Sequence, residues 1–250
     1  MRFDILTLFP DMMEAVLGDS IIGRAKKNGL IEINCIQIRD FTHDKHRQVD
    51  DYPYGGGRGM VMQPQPIYEA YQSICDKLDY KPYTIYLSPQ GKTFRQSTAK
   101  RLAKKEHIVL LCGHYEGVDQ RILDEIVDAE ISIGDYVLTG GEIACMAVVD
   151  AVSRLVPGVL KDEESFSEES HYSGLLEYPQ YTRPEEWHGK KVPEVLLSGH
   201  HKNICEWKRK MSIKTTFEKR RGMLSKIKLS EKEKSFVEEL KRKQNCKGKK

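Results

Sequence analysis

Apolar positions in the first two-thirds of the chain fall into short runs separated by stretches of helical period. RFDILTLF (2–9) is a run that predicts a strand, and IEINCIQI (31–38) alternates with the period of two that a pleated strand requires. Between them Asp19 or Ser20 can cap a short helix, and Gly29 suits its C-terminal end. YTIYL (83–87), HIVLLC (107–112) and AEISI (129–133) are short apolar runs of the kind buried in parallel sheets. Helical patterns fill the gaps at 67–78, 93–105 and 119–126. This alternation predicts an α/β fold with a mainly parallel sheet over residues 1–160.

Near Pro157-Gly158 the pattern breaks. KDEESFSEESHY (161–172) is polar and acidic without periodicity, as expected of a linker or lid. Residues 173–246 carry helical patterns at 204–211, 214–226 and 231–241 and no strand series, which predicts a smaller, mostly helical second domain.

Composition narrows the class. The 250 residues suffice for one or two domains, and 39% hydrophobic with 31% charged residues fits a soluble protein. No apolar run approaches the roughly 18 residues of a membrane span, so no membrane partner is expected. Six scattered cysteines without a CxxC argue against zinc ribbons and a disulfide framework, and place the chain in a reducing cytoplasm. The net charge of +3 conceals an asymmetry: residues 201–250 hold 18 Lys and Arg against 6 Asp and Glu, whereas residues 1–200 hold 22 against 31. A basic tail on an acidic body points to an anionic polymer, and Trp207 beside Lys208, Arg209 and Lys210 suits RNA.

Chemistry concentrates in 131–160, where an apolar strand passes through a loop with Gly134, Asp135, Gly140 and Gly141 into a helix carrying Asp150 and Arg154. Glycines let backbone groups approach a ligand closely. The loop matches neither GxGxxG nor GxxxxGK[ST], which excludes the common dinucleotide and triphosphate cradles. Two sister loops, Ser88-Pro89-Gln90-Gly91 and 113–117 (GHYEG), follow the preceding strands. In open α/β sheets ligands sit beyond the carboxyl ends of strands, so the three loops should converge on one pocket. Gly91-Lys92-Thr93 is no P-loop, because Tyr86 stands where its first glycine belongs. A further glycine loop, 54–60 (YGGGRGM), follows a polar stretch and could mould to a phosphate backbone, with Arg58, Lys45 and Arg47 nearby. His43, His46, Asp44 and Asp50 match no standard metal spacing, and no metal site is expected. Asp150 and Arg154, at i and i+4, fit a surface ion pair. The carboxylates of Asp162, Glu163, Glu164, Glu168 and Glu169 are by default solvated, but one could serve as a general base if the segment folds over the pocket.

Taken in order, FDILTLFP, YGGGRGMVM, YLSPQG, LCGHYEGVDQR, ISIGDYVLTGGE, AVSRLVPGVL, GLLEYPQYTRP and VPEVLLSGHH resemble the bacterial tRNA (guanine-N1)-methyltransferases, the TrmD-type family of knotted SPOUT proteins, over nearly the whole chain. The resemblance implies S-adenosylmethionine as methyl donor, the guanine just 3′ of the anticodon (tRNA position 37) as acceptor, a deep trefoil knot built from the three loops, and a homodimer with sites at its interface. Mg²⁺ assistance is left open. It places Tyr86, Leu87, Ser88, Gly113, Tyr115, Glu116, Ile133, Gly134, Asp135, Tyr136, Val137, Leu138, Gly140 and Gly141 around the donor. Asp50, Gly57, Arg58, Gly59, Arg183, Ser198 and His201 fall on the tRNA side. Arg154 becomes the catalytic arginine, and the general base falls at Glu169, five residues before the GLL that opens at Gly174. The family's usual aspartate is a glutamate here, in EESHYSGLL, and Glu168 stands as the alternative. A non-catalytic RNA binder on the same fold and a small-molecule α/β enzyme are the competing functions, and the second leaves the basic tail unexplained.

Overall fold

A computed structural model describes residues 1–160 and 169–247, with side chains up to residue 244. The chain forms two compact units, Met1–Lys161 and Asp162–Lys250. In the first, β1 (Arg2–Thr7), α1 (Pro10–Leu17), α2 (Ser20–Lys27) and β2 (Glu32–Gln37) are followed by a 3₁₀ turn at Ile38–Phe41. A short antiparallel pair, β3 (Asp50–Asp51) and β4 (Val61–Met62), brackets the glycine loop. Then come α3 (Pro64–Cys75), β5 (Tyr83–Thr93), α4 (Gln96–Leu102), β6 (His107–Cys112), α5 (Gln120–Ile126), β7 (Ala129–Ser132) and α6 (Glu142–Ser153).

The five long strands make one sheet in the order β2-β1-β6-β5-β7, every neighbouring pair parallel. The expected α/β class with a parallel sheet is what the chain adopts. Strand periodicity explains the layers, since alternate residues point to opposite faces. On β6, Ile108, Leu110 and Cys112 join a core with Met13 and Leu17 of α1 and Val148, Val149 and Val152 of α6. Val109 and Leu111 face the other way, onto Ile67, Ala70 and Ile74 of α3 and Ile122 and Ile126 of α5. Burial on both faces is why β6 reads as an uninterrupted apolar run.

Boundaries move for identifiable reasons. The first strand stops at Thr7, two residues short of the expected end at 9, and Pro10 opens α1, a helix the apolar pattern did not reveal. Two prolines in its first turn start α3 at Pro64 instead of 67. The helix expected from 93 begins at Gln96, because β5 resumes pairing with β7 at Lys92 and Thr93 after a register shift past Pro89-Gln90-Gly91, and Phe94 N still donates to Ser132 O at 2.7 Å. Asp19 caps α2 by accepting from Ser20 N, and Gly29 follows the helix at φ +70°.

At the N-terminal end of the sheet a buried carboxylate is fully compensated. Asp4 accepts from Arg2 Nε, from Asn34 Nδ2 at 2.8 Å and meets His107 Nε2 at 2.8 Å, while His107 Nδ1 faces Tyr80 Oη at 3.1 Å. A buried charge is tolerated when paired and hydrogen-bonded in this way.

The second unit carries α7 (Glu194–Leu197), α8 (His201–Lys219), a 3₁₀ turn at Arg221–Lys226 and α9 (Glu231–Lys247), around a small core of Leu175, Ile213, Phe217, Leu224 and Val237. It also contains a hairpin that periodicity does not reveal, β8 (Glu186–Trp187) paired with β9 (Lys190–Lys191). Among the described residues no helix is long and apolar enough to cross a membrane.

Candidate active site

The loops leaving the carboxyl ends of β5, β6 and β7 close around one cleft of about 290 Å³. That lies at the lower end of small-molecule pockets, roughly 300–1,000 Å³. Leu87, Ile131, Ile133 and Leu138 supply apolar wall, and Glu116, Glu130 and the glycine backbones supply polar edge. Of the residues expected around a methyl donor, all but Asp135 line it. The lining also includes Gln90 and His114 of the two sister loops, Gln120 and Glu130, none of which was assigned to the donor.

Close packing explains the glycines. A Cβ on Gly113 would sit 2.8 Å from Tyr86 Oη, and one on Gly141 would sit 2.9 Å from Cys112 Cα. One on Gly140 would come within 2.4 Å of Glu142 Oε2 and 2.7 Å of His114 Nδ1. At these three positions the loops have no room for a side chain. Ser132 Oγ donates to Gly134 O at 2.9 Å and accepts from Gly134 N at 3.2 Å, fixing the turn out of β7. Burial, then the nearby Glu130 charge, pushes the Tyr86 phenol upward, so it stays a neutral hydrogen-bonding group.

Glu142 opens α6 and is almost fully buried, accepting from Thr7 Oγ1 at 2.8 Å. A carboxylate in the first turn suits the positive end of the helix dipole. His114 Nδ1, buried beside Gly140, has no hydrogen-bond partner among the described residues. Its ring packs edge-on between Phe9 at 5.3 Å and Tyr115 at 4.9 Å. Tyr115 takes the left-handed conformation at φ +59°, a strained choice for a large residue that recurs at functional sites. Arg39 Nη2 donates to its hydroxyl at 3.3 Å.

The cleft and the 54–60 glycine loop are brought together. Glu116 N donates to Met60 O at 3.0 Å, and Met62 N to Gly117 O at 2.9 Å. The Glu116 side chain fills the space a Cβ on Gly59 would need, only 2.4 Å away. Gly59 thus borders the loop that lines the cleft, Gly57 and Arg58 precede it in the same glycine loop, and Asp50 pairs opposite Met62 in the hairpin that brackets it. Arg154 is half-buried at the C-cap of α6, where its N donates to Asp150 O at 3.1 Å.

In the second unit Glu169 opens a turn, its carbonyl accepting from Tyr172 N at 3.3 Å. Arg183 is exposed before a cis peptide to Pro184, Ser198 caps α7 with its hydroxyl donating to Val195 O at 2.8 Å, and His201 starts α8. Glu168 and most of the acidic 161–172 segment lie outside the described residues.

The family described as tRNA (Guanine-1)-methyltransferase TrmD matches residues 1–226. A tRNA (guanine-N(1)-)-methyltransferase of Ruminiclostridium cellulolyticum is 60% identical over 227 residues, 91% of this chain and 97% of its own length. Proteins of the same name from Alkaliphilus oremlandii and Clostridium perfringens strain 13 are 54% and 58% identical, covering 97% and 92% of this chain and 100% and 96% of theirs. A parallel sheet whose three carboxyl-edge loops wall one cleft, matched along nearly its whole length, places this chain in the tRNA (guanine-1)-methyltransferase TrmD family.

Proposed function

We propose that the protein transfers a methyl group from S-adenosylmethionine to N1 of the guanine at tRNA position 37. The observation that carries this is the three-loop, glycine-bearing cleft at the carboxyl edge of the sheet in a chain of this family. A non-catalytic RNA binder finds no support among the relatives above, each of which is named as a methyltransferase.

The cleft fits the donor by its chemistry: apolar wall for a base, backbone groups at Gly113, Gly134 and Gly140 for polar atoms, and acidic Glu116 and Glu130 at the rim for hydroxyls and positive charge. When bound, the donor supplies an electrophilic methyl on a sulfonium. The protein's task is then alignment and activation of the nucleophile. Guanine N1 carries a proton at neutral pH, and the Glu169 carboxylate removes it as the bond from N1 to the methyl carbon forms and the carbon–sulfur bond breaks, the donor leaving as a neutral thioether. Negative charge moves toward O6, where the Arg154 guanidinium stabilises it. Extracting the base from its stack costs a few kcal/mol. Phosphate contacts from the basic second unit, including Arg183 and His201, and from Arg58 offset that cost.

The reading includes the trefoil threading of the three loops. Its support is the tight passage of backbone on backbone, with a Cβ on Gly91 falling 2.5 Å from Glu130 C and Ile131 N. It includes a homodimer, supported by the apolar residues that α1 and α6 leave exposed, a cytoplasmic location, and Mg²⁺ assistance, which removal with EDTA and re-addition tests. The decisive experiment is incubation with S-adenosylmethionine and a tRNA transcript, followed by nucleoside mass spectrometry. 1-Methylguanosine should form, and should be absent from a transcript with the position-37 guanine replaced. Absence of product from both would overturn the activity.

A further inference from the structure

We propose that Trp187 is a stacking platform for an unpaired base of the tRNA, an assignment that rests on the tRNA reading above. Trp187 stands on the β8–β9 hairpin, whose two loop residues, His188 at φ +48° and Gly189 at φ +71°, both adopt the left-handed region. A two-residue loop with that geometry is a type I′ turn, which matches the twist of its strands and sets their register. Trp187 pairs directly with Lys190, so indole and ammonium project from the same face. Glu186 and Lys191 occupy the opposite face as an ion pair at 3.8 Å.

The indole is 65% exposed, the highest value among the large apolar side chains described in this unit. Among the described residues its ring neighbour is His188, edge-on at 4.4 Å. Such an aromatic surface turned to water is a poor structural choice and a good binding one. The unit's charge selects the occupant, since 18 Lys and Arg against 6 Asp and Glu over residues 201–250 suit a polyanion. A base stacks on the indole while Lys190 reaches the adjoining phosphate, the pairing of aromatic and cation that serves single-stranded nucleic acid. The other tryptophan is different: Trp207 is half-buried between Tyr178 at 6.4 Å and Tyr181 at 6.3 Å.

The chain has two tryptophans, so Trp207→Phe leaves Trp187 as the only indole. In that variant, emission should be quenched on saturation with an unmodified tRNA transcript. Trp187→Ala should weaken tRNA binding at least about fivefold, the lower end of what one base–aromatic stack supplies. Trp187→Phe should restore most of the loss. The slope of log affinity against log salt should not change, because no phosphate contact is removed, and S-adenosylmethionine affinity should stay at the wild-type value. Wild-type tRNA affinity in Trp187→Ala, or a loss that Phe does not rescue, overturns the platform. So does Trp187 emission that responds to protein concentration without RNA, which would make the hairpin a contact between copies. Wild-type protein that binds no tRNA would overturn the tRNA reading itself, whereas binding with an indifferent Trp187 overturns only this assignment.

Discussion

Gly55 and Gly59 share one backbone angle, φ +85° and +87°, yet they differ in what a side chain would meet. Alanine at either position incurs the left-handed strain, on the order of 1 kcal/mol. At Gly55 nothing lies within 4 Å, whereas at Gly59 the new methyl collides with Glu116. Gly59→Ala should therefore displace Glu116 from the cleft and weaken S-adenosylmethionine binding measured by calorimetry, while Gly55→Ala leaves it unchanged. Equal effects would mean that loop strain, not Glu116, links the two. The proposed base and arginine separate by a different readout. Glu169→Gln should cut turnover by roughly 10²–10⁴-fold, the span of a positioned general base, with S-adenosylmethionine affinity intact. Full activity there, with Glu168→Gln dead, moves the base by one residue. Arg154→Ala should lower the methylation rate far more than tRNA affinity, and parallel losses would make it a binding residue. Thiol chemistry is sorted by burial: desolvation pushes Cys35 up to about 12, and Cys112, hydrogen-bonded to Cys145, is also raised. Both remain protonated and inert at pH 8. Peptide mapping after iodoacetamide at that pH should show Cys205, exposed on α8, labelled well before them.

Strand β5 shows how an element can carry more than its pattern reveals. Its apolar half, Tyr83 to Leu87, is buried from Thr84 on and legible as a strand, while its polar half reads as a loop and a helix start because exposed pairing leaves no apolar signature. Gly91 sits at the turn between the halves, against the backbone of β7. Backbone cannot swing aside as a side chain can, so Gly91→Ala should cost about 1–3 kcal/mol as overpacking, read as a lower urea midpoint, with weaker donor binding. An unchanged midpoint would mean that the β5–β7 crossing is looser than the structure has it. β6 and the three cleft loops were legible because burial on both faces and glycine crowding each write themselves into residue type. A loop position gives no direction in the sequence, and Gly134 and Tyr136 line the cleft where Asp135 between them does not. The junction of Gly59 with Glu116 was invisible because it depends on the β3–β4 hairpin, two residues a side. Trp187 was likewise hidden, since a hairpin that short shows no period.

At the scale of the whole molecule, α1 and α6 pack side by side and leave Met12, Val16, Ile143 and Ala147 exposed. These residues fall in i,i+4 pairs, Met12 with Val16 and Ile143 with Ala147, so each helix offers one apolar stripe to solvent. The sequence shows α6 as a simple amphipathic helix, but its Ala144, Cys145, Val148, Val149 and Val152 already fill the core, and the second stripe, led by Ile143, has no structural duty within the described chain. Adjacent stripes of this kind fit the proposed homodimer, in which a twofold axis would bring the same helices of two copies together. The wild-type protein should sediment at twice its 28.8 kDa chain mass. Val16→Asp combined with Ile143→Glu places charge on the largest exposed apolar side chain of α6 and its counterpart on α1 without touching a core residue, and should yield a folded monomer with unchanged circular dichroism. If the partner copy completes the site, that monomer should also lose methylation of tRNA far more than its thermal stability. A double variant that still sediments as a dimer would place the interface elsewhere, and a fully active monomer would show that one chain suffices for the chemistry.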